Sequence, residues 1–293
     1  VERKKIIITG ANGFIGKSLV KFYSQKQYRV LAFVHSVKPN AFKASNLTYV
    51  PFDLSFNPDD YRDHFKNADY LVHAAYMKFK SGNNADEINE SGTRNLLELA
   101  ELNQTKVVYL STMSAHENAI SHYGKSKVRL EKLFDLSKHL VLKLGLVVGS
   151  GGGLIGEIKK VLSKSKFIPL VGGGNQPIHT VDVNDVVKIV DLGLHGDSLN
   201  GKYFVGEKNS RTLRSVYDLI GTKLGNKPTF INLPYPIMYL AVKIVSMLPI
   251  GPDISTENLL GLKQLKSFED RVSEFFPDFE VASLETQMQS AIL

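Results

Sequence analysis

The apolar run Ile6-Ile7-Ile8 leads straight into Thr9-Gly10-Ala11-Asn12-Gly13-Phe14-Ile15-Gly16, and then into Lys17-Ser18-Leu19-Val20-Lys21-Phe22. This order predicts a buried strand, a tight turn with glycines at i, i+3 and i+6, and a helix. Glycines let the backbone turn tightly and let a pyrophosphate approach the main chain. The amides and positive dipole end of the helix that follows then hold that anion. The turn therefore predicts a dinucleotide site, with Gly10, Asn12, Gly13, Phe14, Ile15 and Gly16 as its contacts.

The texture that opens the chain repeats along its first half. Strand-like runs fall at Lys5–Thr9, Arg29–Val34, Leu47–Val50, Tyr70–Ala75, Lys106–Leu110 and Val141–Val147. Helical patterns fall between them, at roughly 14–25, 59–66, 86–102 and 122–138. Strands alternating with helices predict a parallel sheet covered on both faces, an α/β fold. Ligands of such sheets bind outside the carboxyl ends of the strands, near the point where strand order reverses. After Val147 the glycine-rich loops Gly149–Gly153 and Gly172–Gly174 flank a helical segment, Leu154–Lys164, and Asp182–Gly193 resumes the alternation. From Thr212 helices dominate: Leu213–Leu224, Ile237–Leu248, Glu257–Lys266 and Leu284–Leu293. We expect a dinucleotide-binding domain over 1–148 and a smaller, mostly helical substrate lobe over 149–293, interleaved with a late return to the main sheet near 175–206.

Composition narrows the partners. The chain of 293 residues has no cysteine, which excludes disulfides, thiolate catalysis and cysteine-ligated metals. Its eight histidines show no paired metal-ligand spacing, so no metal is expected. A net charge of +7 is spread along the chain without an aromatic-interleaved basic stripe, which argues against nucleic acid and for tolerance of anionic small molecules. A helix over Ile237–Leu248 reaches only about 18 Å, too short to cross a bilayer, so no stable membrane insertion is expected. The first strand starts after Val1-Glu2-Arg3-Lys4, which reads as a cytoplasmic chain without a leader.

Tyr123-Gly124-Lys125-Ser126-Lys127 puts a tyrosine and a lysine at i and i+4, on one helical face. Leu130 and Phe134 continue that stripe, so Lys127 lies in line with core-facing residues. An ammonium beside a phenol favours phenolate, which makes Tyr123 a usable acid/base. The bland alternative has Tyr123 packing by its ring and Lys127 snorkelling to solvent. Lys106–Leu110 ends in Ser111-Thr112-Met113-Ser114, which places hydroxyls at the carboxyl edge of the sheet, ready for a substrate oxygen or for strand-end capping.

Glycine turn, strand-end hydroxyls and Tyr-x-x-x-Lys together resemble the short-chain dehydrogenase/reductase superfamily, and the spacing at Thr9–Gly16 resembles its extended, NAD-dependent epimerase/dehydratase branch. Asp53-Leu54 resembles the acidic site at the adenine, and His73-Ala74-Ala75 the backbone platform against the cofactor. Asn89-x-x-Gly92-Thr93-x-Asn95-Leu96-Leu97, Leu146–Gly149 and His179–Val186 are similar to further family segments. The resemblance implies a Rossmann-type doubly wound parallel sheet, with Thr112, Tyr123 and Lys127 as catalytic hydroxyl, tyrosine and lysine. Tyr123 and Lys127 would also contact the cofactor. It further implies a homodimer built on the helices near 86–102 and 122–138. The chain departs from the family in two places. Lys143-Leu144-Gly145 stands where the family has Arg-Pro-Gly, leaving Lys143 as a candidate cation. The interval from Thr112 to Tyr123 is short and, with Ser114-Ala115-His116, resembles atypical members such as the complex I-associated subunit type.

The second strand should deliver the residue that meets the adenosine ribose, and an acid there repels a 2′-phosphate. His35-Ser36-Val37-Lys38 follows instead, with no acid between Lys26 and Asp53, so His35, Ser36 and Lys38 favour NADP(H) over NAD(H). What the resemblance implies for the reaction is epimerisation or ketoreduction of a nucleoside-diphosphate sugar. Lys159, Lys160, Lys164 and Lys166, between the glycine loops, read either as a second pyrophosphate site or as a solvated helix face. Two other functions compete: a non-catalytic NAD(P)-binding sensor or assembly protein, and a reductase of a non-sugar carbonyl, which the apolar Ile237–Leu248 would suit.

Overall fold

Ile6, Ile7 and Ile8 are fully buried in the middle of β1 (Lys5–Thr9), and the sheet grows outward from them. The computed structural model describes residues 3–79, 83–149, 152–196, 199–245, 256–263, 265 and 279–292. Parts of the sequence expectations lie outside these residues: Val1-Glu2, Ser150-Gly151 of the first glycine loop, and the ends of the helices expected over Ile237–Leu248, Glu257–Lys266 and Leu284–Leu293.

The remaining strands are β2 (Arg29–Val34), β3 (Leu47–Pro51), β4 (Tyr70–His73), β5 (Lys106–Thr112), β6 (Leu140–Leu144), β7 (Leu146–Val148), β8 (Phe167–Val171), β9 (Pro177–Ile178), β10 (Thr180–Asp182), β11 (Gly201–Val205), β12 (Arg211–Thr212) and β13 (Thr229–Leu233). The helices are α1 (Phe14–Gln25), α2 (Arg62–Phe65), α3 (Ala85–Leu102), α4 (His122–Glu131), α5 (Gly153–Lys164), α6 (Val183–His195), α7 (Leu213–Lys223), α8 (Tyr235–Val245), α9 (Thr256–Lys263) and α10 (Leu284–Ile292). By contacts the chain forms two units, one of 1–112, 126–143 and 183–203, the other of 113–125, 144–182 and 204–293.

The first unit carries a sheet of order β3-β2-β1-β4-β5-β6-β11, in which β1 pairs in parallel with both β2 and β4, so strand order reverses at β1. That reversal opens the crevice in which doubly wound sheets bind ligands, and β1 delivers the glycine turn there. β1, β4 and β6 are buried along their whole length, as parallel strands covered on both faces must be. Phe33, Phe65, Leu71, Leu96, Val107 and Tyr109 pack into the core on one side of the sheet.

The second unit holds α5, α7, α8, α9 and α10, with short strands between them that the sequence does not reveal. Three two-stranded sheets, β7–β10, β9–β12 and β8–β13, run among its helices. Strands this short leave little periodicity to read. Its core gathers Ile158, Leu162, Ile168, Val216, Ile220, Leu284 and Met288. The strand expected over Val141–Val147 is two strands, because Gly145 breaks it. A Cβ at Gly145 would lie 2.4 Å from the His179 carbonyl, and beyond it β7 pairs with β10. The helix expected over 122–138 ends at Glu131, where the next amides bond three residues back, as Lys132 does to Arg129 and Leu133 to Leu130. No described helix is long and apolar enough to cross a membrane.

Candidate functional site

Gly10 has φ +66°, and a Cβ there would lie 2.8 Å from the backbone of Ala74 and Ala75. A Cβ on Gly16 would lie 2.2 Å from the Gly10 carbonyl. The turn is thus packed to a density only glycine tolerates, and its outer face is bare main chain. Gly13 caps α1 without a side-chain hydrogen bond, and the first turn of α1 has no acid, so the positive helix end is left for an anion. These residues fit a dinucleotide pyrophosphate: a cradle without side chains, at a helix start, at the switch point of the sheet. Asn12 donates to the Ser36 carbonyl (2.6 Å) and ties the turn to the loop after β2.

The turn is held from behind by a buried polar chain. Thr9 Oγ1 accepts the amides of Ala74 (3.1 Å) and Ala75 (3.2 Å), which draws both out of the sheet ladder and ends β4 at His73 rather than Ala75. Its own proton is then free for His73 Nδ1 (2.8 Å), so the ring proton sits on Nε2 and is donated to Thr93 Oγ1 (3.1 Å). Thr93 passes its proton to the Asn89 carbonyl (2.6 Å), and the Asn89 amide brackets Met77, bonding its N–H and its carbonyl at 2.8 Å each. Burial, and secondarily the charge of Lys127, pushes His73 down to about 3, which keeps this ring neutral.

His35, Ser36 and Lys38 are exposed on the loop after β2. The Asp53 carboxylate accepts the Ser55 hydroxyl and amide, bonds that hold it below the usual carboxylate range, with a smaller contribution from His35. Leu54 is buried, and its carbonyl meets α3 at Gly92, where a Cβ would stand 2.3 Å away.

At the end of β5 the two hydroxyls part company. Ser111 is buried and donates to Glu131 Oε1 (2.5 Å), so it serves the interior, whereas Thr112 is half-buried at the last position of the strand. Lys127 is only 4% exposed, so it does not snorkel. Its Nζ donates to Tyr109 OH (3.0 Å) and to the Leu110 carbonyl (3.1 Å), against the ring faces of Tyr76 and Tyr109. Burial lowers Lys127 to about 7, and the charge of Glu131 pulls the other way. Lys143, the candidate cation at the end of β6, turns inward to Glu131 (3.8 Å).

In the second unit, Tyr123 stands at the second position of α4 and is 40% exposed. The following Gly124 is pressed where a Cβ would lie 2.6 Å from the Ser114 carbonyl, and its amide bonds Ser121 Oγ (3.1 Å). The His122 amide bonds Glu257 (2.6 Å). These contacts set where α4 begins and hence where Tyr123 projects. Lys160, Lys164 and Lys166 are exposed, and the side chain of Lys159 lies outside what is described. No group of three or more potential metal-ligating residues occurs among the described residues.

Sequence reading missed Tyr76, Tyr109 and Glu131 as neighbours of Lys127. Glu131 had a signal, since it extends the Tyr123–Lys127 stripe by one more turn. Tyr109 had none, because every residue of its strand from Val107 to Ser111 is buried and no alternation marks it.

The chain is 21% identical over 244 residues to NADH dehydrogenase [ubiquinone] 1 alpha subcomplex subunit 9, mitochondrial, of Arabidopsis thaliana, covering 78% of this chain and 60% of that protein. It is 28% identical over 127 residues to the ceramide reductase of Caulobacter vibrioides, covering 43% and 40%. The chain thus spans less than two thirds of the length of these curated relatives. The crystal structure of the Bordetella bronchiseptica enzyme WbmG in complex with NAD and UDP has the same fold, with TM-score 0.76, 15% identity and coverage of 99% and 94%. The family model of the NAD dependent epimerase/dehydratase family matches residues 6–206, more than half of the sequence, and the chain belongs to that family.

Proposed function

We propose that this chain is an NAD(P)-dependent epimerase or ketoreductase acting on a nucleoside-diphosphate sugar, with Tyr123 as its acid/base. The observation that carries the reading is α4: Tyr123 and Lys127 stand one turn apart, and Lys127 is buried against the carboxyl end of β5. A bound nicotinamide would supply the carbon that accepts or donates hydride. Gly10, Asn12, Gly13, Phe14, Ile15 and Gly16 hold the pyrophosphate, Asp53 and Leu54 the adenine, and Ala74 and Ala75 form the platform behind it. Tyr123 exchanges the proton of the substrate hydroxyl, Thr112 orients that oxygen, and Lys127 holds the ribose and favours phenolate. His35, Ser36 and Lys38 support NADP(H) over NAD(H), since cationic and hydroxyl groups there accept a 2′-phosphate that an acid would repel.

Turnover of a panel of nucleotide sugars and their 4-keto forms, with Tyr123→Phe beside the wild type, tests this. We expect kcat to fall about 10²- to 10⁴-fold in the variant, with cofactor affinity nearly unchanged. If cofactor binding and all cellular function survive Tyr123→Phe, a sensor or assembly role replaces the enzyme.

One observation favours a second substrate class. On α8, Ile237 is 55% and Leu240 58% exposed, an apolar face suited to a carbonyl substrate with a hydrocarbon tail. The similarity to a ceramide reductase points the same way. Thermal shift with nucleotide sugars against long-chain amino-ketones separates the two, because the true ligand stabilises the fold by mass action.

A further inference from the structure

Four cations from three distant stretches of the sequence, Arg3, Lys5, Arg29 and Lys66, meet at the amino ends of β1 to β4 in the first unit. Lys5 opens β1 and Arg29 opens β2, and the two are direct partners in the parallel ladder. Two like charges thus stand on neighbouring strands, where they repel. Lys4, between Arg3 and Lys5, turns away to the Tyr70 hydroxyl (2.6 Å). Burial holds Lys5 below the usual lysine range and the charge of Arg29 lowers it further, against the pull of Asp69.

These four residues, with Ser45, Asn46, Thr48 and Asn67, line a cleft of about 460 Å³, within the range of small-molecule sites. Among the described residues no apolar side chain lines it. Some of its polar groups are spent within the protein. Lys5 Nζ donates to the Lys66 carbonyl (2.7 Å), and the Asn46 amide group to the carbonyls of Ser24, Lys26 and Tyr28. Asp69 takes the Lys5 amide (2.7 Å). Lys66 meets Asp63 at 2.7 Å, but both side chains are largely in water, where such a pair holds little. Arg3 and Arg29 form no ion pair among the described residues. The cleft therefore presents positive charge that the described residues do not balance.

We propose that this cleft binds a compact phosphorylated small molecule, with Arg3, Arg29 and Lys66 on its phosphate groups and Ser45, Thr48 and Asn67 on its remaining oxygens. A guanidinium offers paired donors that match phosphate oxygens, and an ammonium adds a point charge. The lack of an apolar wall leaves a base or a hydrocarbon nothing to pack on, which favours a sugar phosphate. The crowding of Lys5 and Arg29 does nothing for the fold, whereas an anion between the strands would relieve it. The site stands apart from the glycine turn, which follows Thr9 at the other end of β1, about 13 Å from Lys5. It does not depend on the proposed function.

The test titrates isotope-labelled protein with fructose bisphosphate, inorganic pyrophosphate and sulfate at one fixed ionic strength, followed at the backbone amides. We expect saturable shifts at Arg3, Lys5, Arg29, Ser45, Thr48 and Lys66 with the bisphosphate, at about 1 mM or below. Arg29→Gln should weaken that binding about tenfold, while the thermal midpoint of the unliganded protein holds or rises because a repulsion is removed. Lys66→Gln, at an exposed position, repeats the affinity measurement should Arg29→Gln fold poorly. Unchanged affinity in the folded variants overturns the proposal, and so do shifts confined to Gly10–Gly16, which would put the phosphate in the turn. Sulfate binding as well as the bisphosphate would mean an adventitious ion only, and would overturn it too.

Discussion

His73 shows how much a single side chain can settle. Its ring is buried, its two nitrogens are committed to Thr9 and Thr93, and through Thr9 it fixes the amides of Ala74 and Ala75 beside the glycine turn. An imidazole with one proton satisfies this chain, and an imidazolium does not, because Thr9 would have to surrender the proton it donates. Between about pH 3 and 6.5 the unfolded chain binds a proton at this position that the native chain refuses, so stability rises with pH across that window and is lost on acidification. Urea denaturation at stepped pH checks this. His73→Gln should cost about 1–3 kcal/mol at pH 7, the range for a broken buried hydrogen-bond partner, yet lose stability less steeply than the wild type on acidification. Parallel slopes would mean that His73 does not set the acid loss of stability. Lys127 behaves in the same sense at higher pH. Its lowered value means that the unfolded chain holds the extra proton from about pH 7 up to 10.5, so stability rises with pH there too, and Lys127→Met should flatten the rise.

At the scale of elements, one buried carboxylate fastens the last described helix. Glu207 Oε1 accepts the Thr180 hydroxyl, and Oε2 accepts Arg211 Nε (3.0 Å) and the Leu284 amide (3.1 Å). Arg211 continues into a two-pronged pair with Glu285 at 2.9 and 2.6 Å. β10, β12 and the start of α10 are thus joined through Glu207. Glu207→Ala takes the acceptor from the Leu284 amide and from Arg211 Nε, while Arg211 keeps its pair with Glu285, and we expect a loss of about 1–3 kcal/mol. Hydrogen exchange should quicken in Leu284–Ile292 and leave β1 and β4 protected. Uniform quickening would mean that the clasp does not act locally.

The elements that could be read from sequence were those whose physics is local. β1, the glycine turn and α1 were legible because an apolar run, three glycines and an amphipathic pattern each have one favoured conformation. Leu130 and Phe134 put Lys127 on a core-facing stripe, but the stripe alone left burial and snorkelling both open, and only the packing decides for burial. The break at Gly145 and the two-stranded sheets of the second unit were not legible, because a crossing chain or a nonlocal partner imposes them. Ser111 and Thr112 looked alike as strand-end hydroxyls, and only packing separates the one that serves Glu131 from the one left at the strand end. The inward turn of Lys143 depends in the same way on Glu131, which a sequence places twelve positions away without saying that the two meet.

For the whole molecule, the proposed function turns on one claim: the bare turn at Gly10, Gly13 and Gly16 would hold a nicotinamide dinucleotide whose chemistry passes through Tyr123. The membership of the family and the fold stand without that claim, whereas the roles of His35, Ser36, Lys38, Thr112, Tyr123 and Lys127 depend on it. Direct titration of the protein with NADPH and NADH, followed by nicotinamide fluorescence, tests it before any substrate is known. We expect saturable binding, one dinucleotide per chain, at about 10 μM or tighter, with NADPH preferred. Tenfold tighter NADH would overturn the roles given to His35, Ser36 and Lys38, and a folded protein that binds neither would contradict the claim itself.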